Sequence, residues 1–311
     1  MATRAHTVPR FYLRGFAAPE SESNADPYVW VGILETGEVK RRSPKNLSIC
    51  RGLYDGPGGL ADRNESIERH LSKIETAASS AIRKFTATAP LSGSHPPAEI
   101  WRFLAWQAAR TPGWLDAVQA SVNEWDPSKP VEVVEPPPEG FGEANSASRS
   151  YCVEEPETGA RAEARDEQEL IQYRSRGWKW VLRTDDKLEL MHVQAWYFQV
   201  RHFPRLKWVR LNTPAGDSFI TSDRAVTWLV RGIAHTPPAA LRDDSAQLIA
   251  PLTRETTLFG SNQTAPLGIT PREVNILVAS TASSWIAGPT EKVVQQALED
   301  RVAALTHPDS K

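Results

Sequence analysis

The stretch His6-Thr7-Val8-Pro9-Arg10-Phe11-Tyr12-Leu13-Arg14-Gly15-Phe16 constrains this chain more than any other. Chain ends are commonly loose. Phe11, Tyr12, Leu13 and Phe16 are too apolar for a solvated tail, so the rest of the chain must supply a slot for them. Pro9 fixes its own φ and biases Val8 toward an extended backbone. It also suits the opening of a short helix, in which Leu13 and Phe16 share a face with Pro9 or Tyr12. His6 lies just before that turn and is held in a defined place by the rings that follow. A lone imidazole most simply hydrogen-bonds a carbonyl or caps a turn; with the right neighbours it is a base or a metal ligand.

The elements that follow are legible from pattern. Tyr28–Leu34 and Val39–Arg42 read as two strands joined by the turn Glu35-Thr36-Gly37-Glu38. Gly56-Pro57-Gly58-Gly59 lacks the Gly-Lys-Ser/Thr of a phosphate loop and reads as a turn. Asp62 or Asn64 opens a helix to about Thr86, with Ile67, Leu71, Ile74, Ala78 and Ile82 on its apolar stripe. Glu68 and Glu75 fall on one side of that helix, flanking the stripe. A second helix from Ala98 is apolar nearly all round, through Ile100, Trp101, Phe103, Leu104, Ala105 and Ala108, and is therefore central. Gln107 and Arg110 are polar on that buried element. A buried arginine needs a carboxylate or several carbonyls, and Glu68 or Glu75 is the obvious partner. The pattern carries this helix beyond Pro112 to Leu115, Val118 and Val122.

Residues 126–165 change composition, with Pro136-Pro137-Pro138 and many Glu and Gly. They read as an insertion or lid-like loop within a single domain spanning 1–311. Helices are expected over Asp166–Arg176 and Leu188–Phe203. The last third turns to strands at Leu206–Leu211, Ser218–Thr221, Thr227–Val230, Gln247–Ala250 and Thr256–Phe259, whose short connections suggest an antiparallel sheet. Thr270-Pro271 then starts a helix expected to cover Val274 through Ile286, and Glu291–Leu305 reads as a final amphipathic helix. The expected fold class is α+β: a helical N-terminal and middle part packed on a mostly antiparallel C-terminal sheet, with an N-terminal β-hairpin.

Composition narrows the function classes. A net charge of −2 over 311 residues leaves no global basic field for nucleic acid. A local face of Lys207, Arg210, Arg224 and Arg231 with Trp208 and Trp228 would be needed instead. Two cysteines, Cys50 and Cys152, make neither a disulfide framework nor a Cys-rich zinc site. The start lacks the apolar core of a signal peptide, and no stretch approaches the ~18 apolar residues of a membrane span. The cytoplasm is the expected location, with no membrane partner. A Gly-x-Ser-x-Gly elbow and a dinucleotide glycine fingerprint are both missing. His192 and His202 are too far apart in sequence for a zinc-protease helix.

His6 with Pro9, Tyr12-Leu13 and Phe16 resembles the opening signature of the family called domain of unknown function 4238. Ile67-Glu68 with Ile74-Glu75 resembles its paired Ile-Glu helix. Arg110-Thr111-Pro112 resembles a polar helix end there, and Phe219-Ile220-Thr221-Ser222-Asp223 its Ser-Asp strand end. Ala225 stands where the family has proline, which bears on the following turn and leaves the carboxylate in place. The resemblance covers most of the chain and brings no settled activity with it.

The candidate site is therefore His6, Glu68, Glu75, Arg110 and Asp223. One imidazole and two or three carboxylates suit a divalent metal, with His6, Glu75 and Asp223 as ligands, that polarises a phosphate and activates water. Arg110 would neutralise a bound anion. The reaction class is metal-assisted hydrolysis of a phosphodiester or other anionic substrate, with an anionic small molecule or nucleic acid as partner. A metal-free version uses Glu and His as general base and acid. The structural alternative pairs Glu68 or Glu75 with Arg110, lets Asp223 cap a turn and lets His6 anchor the terminus. A non-catalytic ligand- or partner-binding protein then results.

Overall fold

The computed structural model describes residues 4–51, 61–88, 95–111, 151–181, 191, 194–196, 198–230, 233–235, 246–262 and 269–306. A short strand β1 (Arg4–His6) precedes α1 (Arg10–Arg14), which starts after Pro9 as the sequence requires. Strands β2 (Val29–Ile33) and β3 (Val39–Arg42) form the expected hairpin. β4 (Ile49–Arg51) returns to pair antiparallel with β1, His6 opposite Ile49. Two helices follow, α2 (Ala61–Ala87) and α3 (Ala98–Ala109). The continuation expected beyond Pro112, the Gly56–Gly59 turn and residues 126–150 lie outside the described residues.

Part of the Pro/Glu-rich stretch is ordinary secondary structure. β5 (Tyr151–Glu154) and β6 (Arg161–Ala164) pair as a hairpin. With α4 (Glu167–Ser175) and β7 (Lys179–Trp180) they enclose a small separate core of Val153, Ala164 and Leu170. The helix expected over Leu188–Phe203 changes form along its length. Residues 194–196 are α-helical, Phe198–His202 is a π-turn, and Phe203–Arg205 is a 3-10 turn.

The last third supplies β8 (Lys207–Asn212), β9 (Thr221–Ser222), β10 (Thr227–Val230), β11 (Ile233–His235), β12 (Ala246–Thr253) and β13 (Thr256–Ser261). α5 (Pro271–Thr281), β14 (Trp285–Gly288) and α6 (Glu291–Thr306) complete it. Thr270 and Glu273 close a capping box on α5, each accepting from the other's backbone N–H. The expectation that α5 runs through Ile286 is wrong. It stops at Thr281, and Trp285–Gly288 becomes an inner strand. The apolar spacing of Trp285 and Ile286 fits a helix face equally well, which short apolar runs cannot resolve.

All described strand pairs are antiparallel. One sheet has the order β11-β10-β12-β13-β8 and another β3-β2-β14-β9, so the N-terminal hairpin joins the C-terminal strands in a shared sheet. Alternation along these strands explains the layering. Trp228, Leu248, Ala250, Leu252, Leu258, Trp285 and Ala287 face a core shared with α1, α2 and α3. Leu229, Ile249, Phe259 and Ile286 face a second core shared with α5 and α6. The sheets are covered on both sides, which is why β10, β13 and β14 are buried throughout. The layer order is helix, sheet, helix, and the α+β class holds with strands drawn from both ends of the chain. Gly32 marks a close approach in this packing: a Cβ there would meet Leu298 Cδ1 at 2.8 Å and Val294 Cγ1 at 3.0 Å on α6.

α2 docks through Leu71, Ile74, Ala78 and Ile82 of its expected stripe and through Phe85 beyond them, while the Ile67 side chain lies outside the described residues. Its last turn is capped from the sheet. Arg210 of β8 donates to the carbonyls of Phe85 and, at 2.6 Å, Thr88, with its guanidinium 5.2 Å over the Phe85 ring. A cation on those carbonyls also complements the negative end of the helix dipole.

Candidate functional site

The N-terminal stretch is the junction of three elements. Val8, Tyr12, Leu13 and Phe16 are all in the first core. Phe11 and Tyr12 place their rings 5.2 and 5.6 Å from that of Phe103 on α3. The Tyr12 hydroxyl is buried, donates to the Pro251 carbonyl of β12 at 2.5 Å, and lies 3.1 Å from Thr221 Oγ1 of β9. Its single proton is directed at the Pro251 carbonyl, so in the Thr221 contact the threonine hydroxyl donates to Tyr12 Oη. Burial pushes this phenol above its ordinary range, and it stays protonated. Gly15 follows because its Cα lies against the backbone of β12: a Cβ there would meet Leu252 O at 3.2 Å.

His6 is half-buried, and its Nε2 donates to the Lys45 carbonyl at 3.2 Å. The hydrogen bond selects the tautomer with the proton on Nε2. Thr7 N donates to Ser48 O at 3.0 Å, and the Ser48 hydroxyl donates to Val8 O at 2.7 Å. Ser48 adopts φ 62° to present both groups, a left-handed conformation that costs an L-residue about 1–2 kcal/mol. The terminus is thus fastened by backbone and side chain together.

Arg110 closes α3 and is only 1% exposed. Its Nη1 and Nη2 each donate to Glu75 Oε1 at 3.2 Å. With the Gln107 amide oxygen turned toward it, Arg110 also donates to Gln107 from Nη2 and, at 2.9 Å, from Nε, and the Gln107 amide N donates to Thr7 O at 3.3 Å. Four of the five guanidinium N–H groups are therefore engaged. A continuous path runs Glu75–Arg110–Gln107–Thr7, from the α2 surface to the N-terminal stretch. The Glu75 side chain is 29% exposed, so this ion pair has one buried member and one that reaches water.

Asp223 follows β9. Its Oδ1 accepts from Ser283 N at 3.0 Å and its Oδ2 from Ser284 N at 2.7 Å, fixing the turn between α5 and β14. Burial pushes its carboxyl above the ordinary aspartate value; the Ser283 and Ser284 N–H groups and Arg224 pull the other way. Ser222 Oγ donates to Arg224 O at 2.8 Å and accepts from Arg224 N at 3.1 Å, shaping the strand exit.

These positions decide how the predicted site is assembled. Arg110 and Glu75 meet, and the N-terminal stretch meets them through Gln107. Asp223 is engaged by the α5–β14 turn and His6 by Lys45. Glu68 lies on α2 with its side chain outside the described residues. Among the described residues no three His, Cys, Asp or Glu side chains are grouped to hold a metal ion, so His6, Glu75 and Asp223 are not brought together as one centre. The conditional basic–aromatic face fails as well. Trp208 and Trp228 are buried at 4% and 2% exposure, and Arg210 sits on α2. Two contributors escape a sequence reading. Ser48 is a small polar residue in a loop, and Asn275 of α5 bridges to Ile220 N and Ser218 O from a helix interior. Only the polar identity of Asn275 on an apolar face signals it.

The profile of the family described as protein of unknown function (DUF4238) matches residues 4–292. The chain belongs to this family. The matched range takes in the opening stretch, the α2–α3 pair and the Ser222-Asp223 strand exit. No curated protein and no solved structure shows significant similarity to the chain. No helix among the described residues is long and apolar enough to cross a membrane.

Proposed function

We infer that this DUF4238 protein is a non-catalytic ligand-binding protein of the cytoplasm, in which the His6, Glu75, Arg110 and Asp223 groups are framework. The observation that carries this reading is Arg110: a fully buried guanidinium with four N–H groups held by Glu75 and Gln107 is poorly placed to receive a substrate anion. A groove of about 500 Å³ runs along α2, lined by Ala77, Ala81, Lys84 and Phe85 with Pro97 and Glu99 opposite. Its apolar floor and the Lys84 ammonium suit a small ligand with an apolar body and an anionic end.

The test uses anilinonaphthalene sulfonate, which has that chemistry, with the native protein at neutral pH. Saturable binding that is lost in Ala81→Trp and weakened in Lys84→Ala supports the groove. Binding unchanged in both variants removes it. The rival reading, metal-assisted hydrolysis of a phosphodiester, is tested in parallel with bis(p-nitrophenyl) phosphate and added Mg²⁺ or Mn²⁺. Metal-dependent turnover that disappears in Glu75→Gln while folding is retained would establish the hydrolase instead.

A further inference from the structure

The α-helical register breaks at Phe198–His202, and π-turns of this kind are often found at functional positions. The broken turn carries a histidine into an aromatic shell. His202 lies 6.0 Å from the Phe198 ring and 6.4 Å, edge-on, from Trp228 of β10. Phe198 and Phe203 stack on Trp228 with ring centroids at 5.2 and 6.4 Å. The 3-10 turn that follows is pinned by Trp208, whose indole N–H donates to Phe203 O at 2.9 Å. We propose that Phe198–Arg205 is an acid-released latch: protonation of His202 drives its imidazole out of this shell and opens the turn while the antiparallel sheet stays folded.

The physical argument is one of solvation and charge. An imidazolium packed against Phe198 and Trp228 loses its water, which opposes protonation. Arg205, at the end of the same segment, adds like-charge repulsion, so the ring is pushed down to about 4. α3, which packs on this turn, carries Glu99, Arg102 and, at its end, Arg110. β8 carries Lys207 and Arg210, and β10 carries no charge. Of the charged groups named here, Arg205 is the one whose cation opposes protonation of the ring. Once open, the imidazole titrates with its ordinary value and the solvated cation holds the open form. Opening would uncover Phe198, Phe203 and the face of Trp228, all buried in the closed form.

Linkage sets the size of the effect. Taking about 6.5 for the open ring and about 4 for the closed one, the opening constant rises about 60-fold between about pH 7 and 4.5. Hydrogen exchange on the full chain, corrected for intrinsic rates, reads this directly. The expected result is a protection loss of that order in peptides over 198–206, with β12 and β13 still protected, and no such loss in His202→Phe. Equal losses in the variant, or a uniform loss that includes β12 and β13, would overturn the proposal. Should His202→Phe fail to fold, imidazole NMR of the unmodified protein decides. Titration well below the ordinary value, with broadening of Phe198 and Trp228 resonances at the same pH, supports the latch; titration at the ordinary value overturns it.

Discussion

The Glu75–Arg110 pair makes an asymmetric prediction. Removing one member of a buried ion pair costs about 3–5 kcal/mol when the other is left uncompensated. Here the two members differ in access to water: the Arg110 side chain is 1% exposed and that of Glu75 29%. Glu75→Leu keeps the bulk that covers Arg110 and leaves a guanidinium that cannot reach solvent, with Gln107 its remaining partner among the described residues, so the loss should be about 3–5 kcal/mol. Arg110→Met removes the cation and fills most of its volume. Glu75 can then turn outward, leaving chiefly the Gln107 oxygen unpaired, a loss of about 1–3 kcal/mol. The more exposed residue is thus the more costly one to replace. In the double variant the stranded cation is gone, so its loss should match that of Arg110→Met and the coupling should approach the Glu75→Leu loss, about 3 kcal/mol or more. Urea unfolding of the four proteins, with slope and midpoint fitted together, measures this. A greater loss for Arg110→Met, or a coupling below about 0.5 kcal/mol, would refute the picture of one stranded charge and one free to solvate.

Two further expectations rest on the same framework. Tyr12→Phe strands the Pro251 carbonyl and the Thr221 hydroxyl in the core and should cost about 1–3 kcal/mol, read as a lowered unfolding midpoint; a neutral variant would mean water replaces the phenol. Asp223 has its carboxyl raised by burial, so the folded state binds its proton more tightly than the unfolded chain. Its contribution therefore falls as pH rises from the ordinary aspartate value through the raised one. The stability gap between the unmodified protein and Asp223→Asn should narrow over that window in a thermal-melt series from about pH 3.5 to 7, and a gap that widens contradicts the sign.

The fold was legible where burial has one cause. α2 has one apolar stripe and lies close to its expected bounds, and α3, apolar nearly all round, starts at Ala98 as expected. Strands covered on both faces lose the alternation that separates strand from helix. Trp285 and Ile286 read as helix for this reason, and the joining of the N-terminal hairpin to the C-terminal strands is invisible because sheet order is a non-local property. The break at Phe198 was hidden similarly: Met191, Ala195 and Phe198 are buried as a helix face demands, and the register changes only after them.

The site divides along another line. Composition can say that Arg110 on an apolar helix must have a partner, and Glu75 was one of two named. It cannot say whether polar groups converge on a ligand or satisfy the backbone around them. Here the distances decide. His6 answers Lys45, Asp223 answers Ser283 and Ser284, and Gln107 carries the Arg110 network to Thr7. Each contact lies at a seam: the terminus with the β3–β4 connection, the terminus with α3, α2 with α3, or the β9 exit with the α5–β14 turn. Seams between layers are where side chains must satisfy backbone groups that no helix or sheet ladder reaches. A polar pattern at such places is what a demanding architecture requires of a chain whose first residues are part of its core.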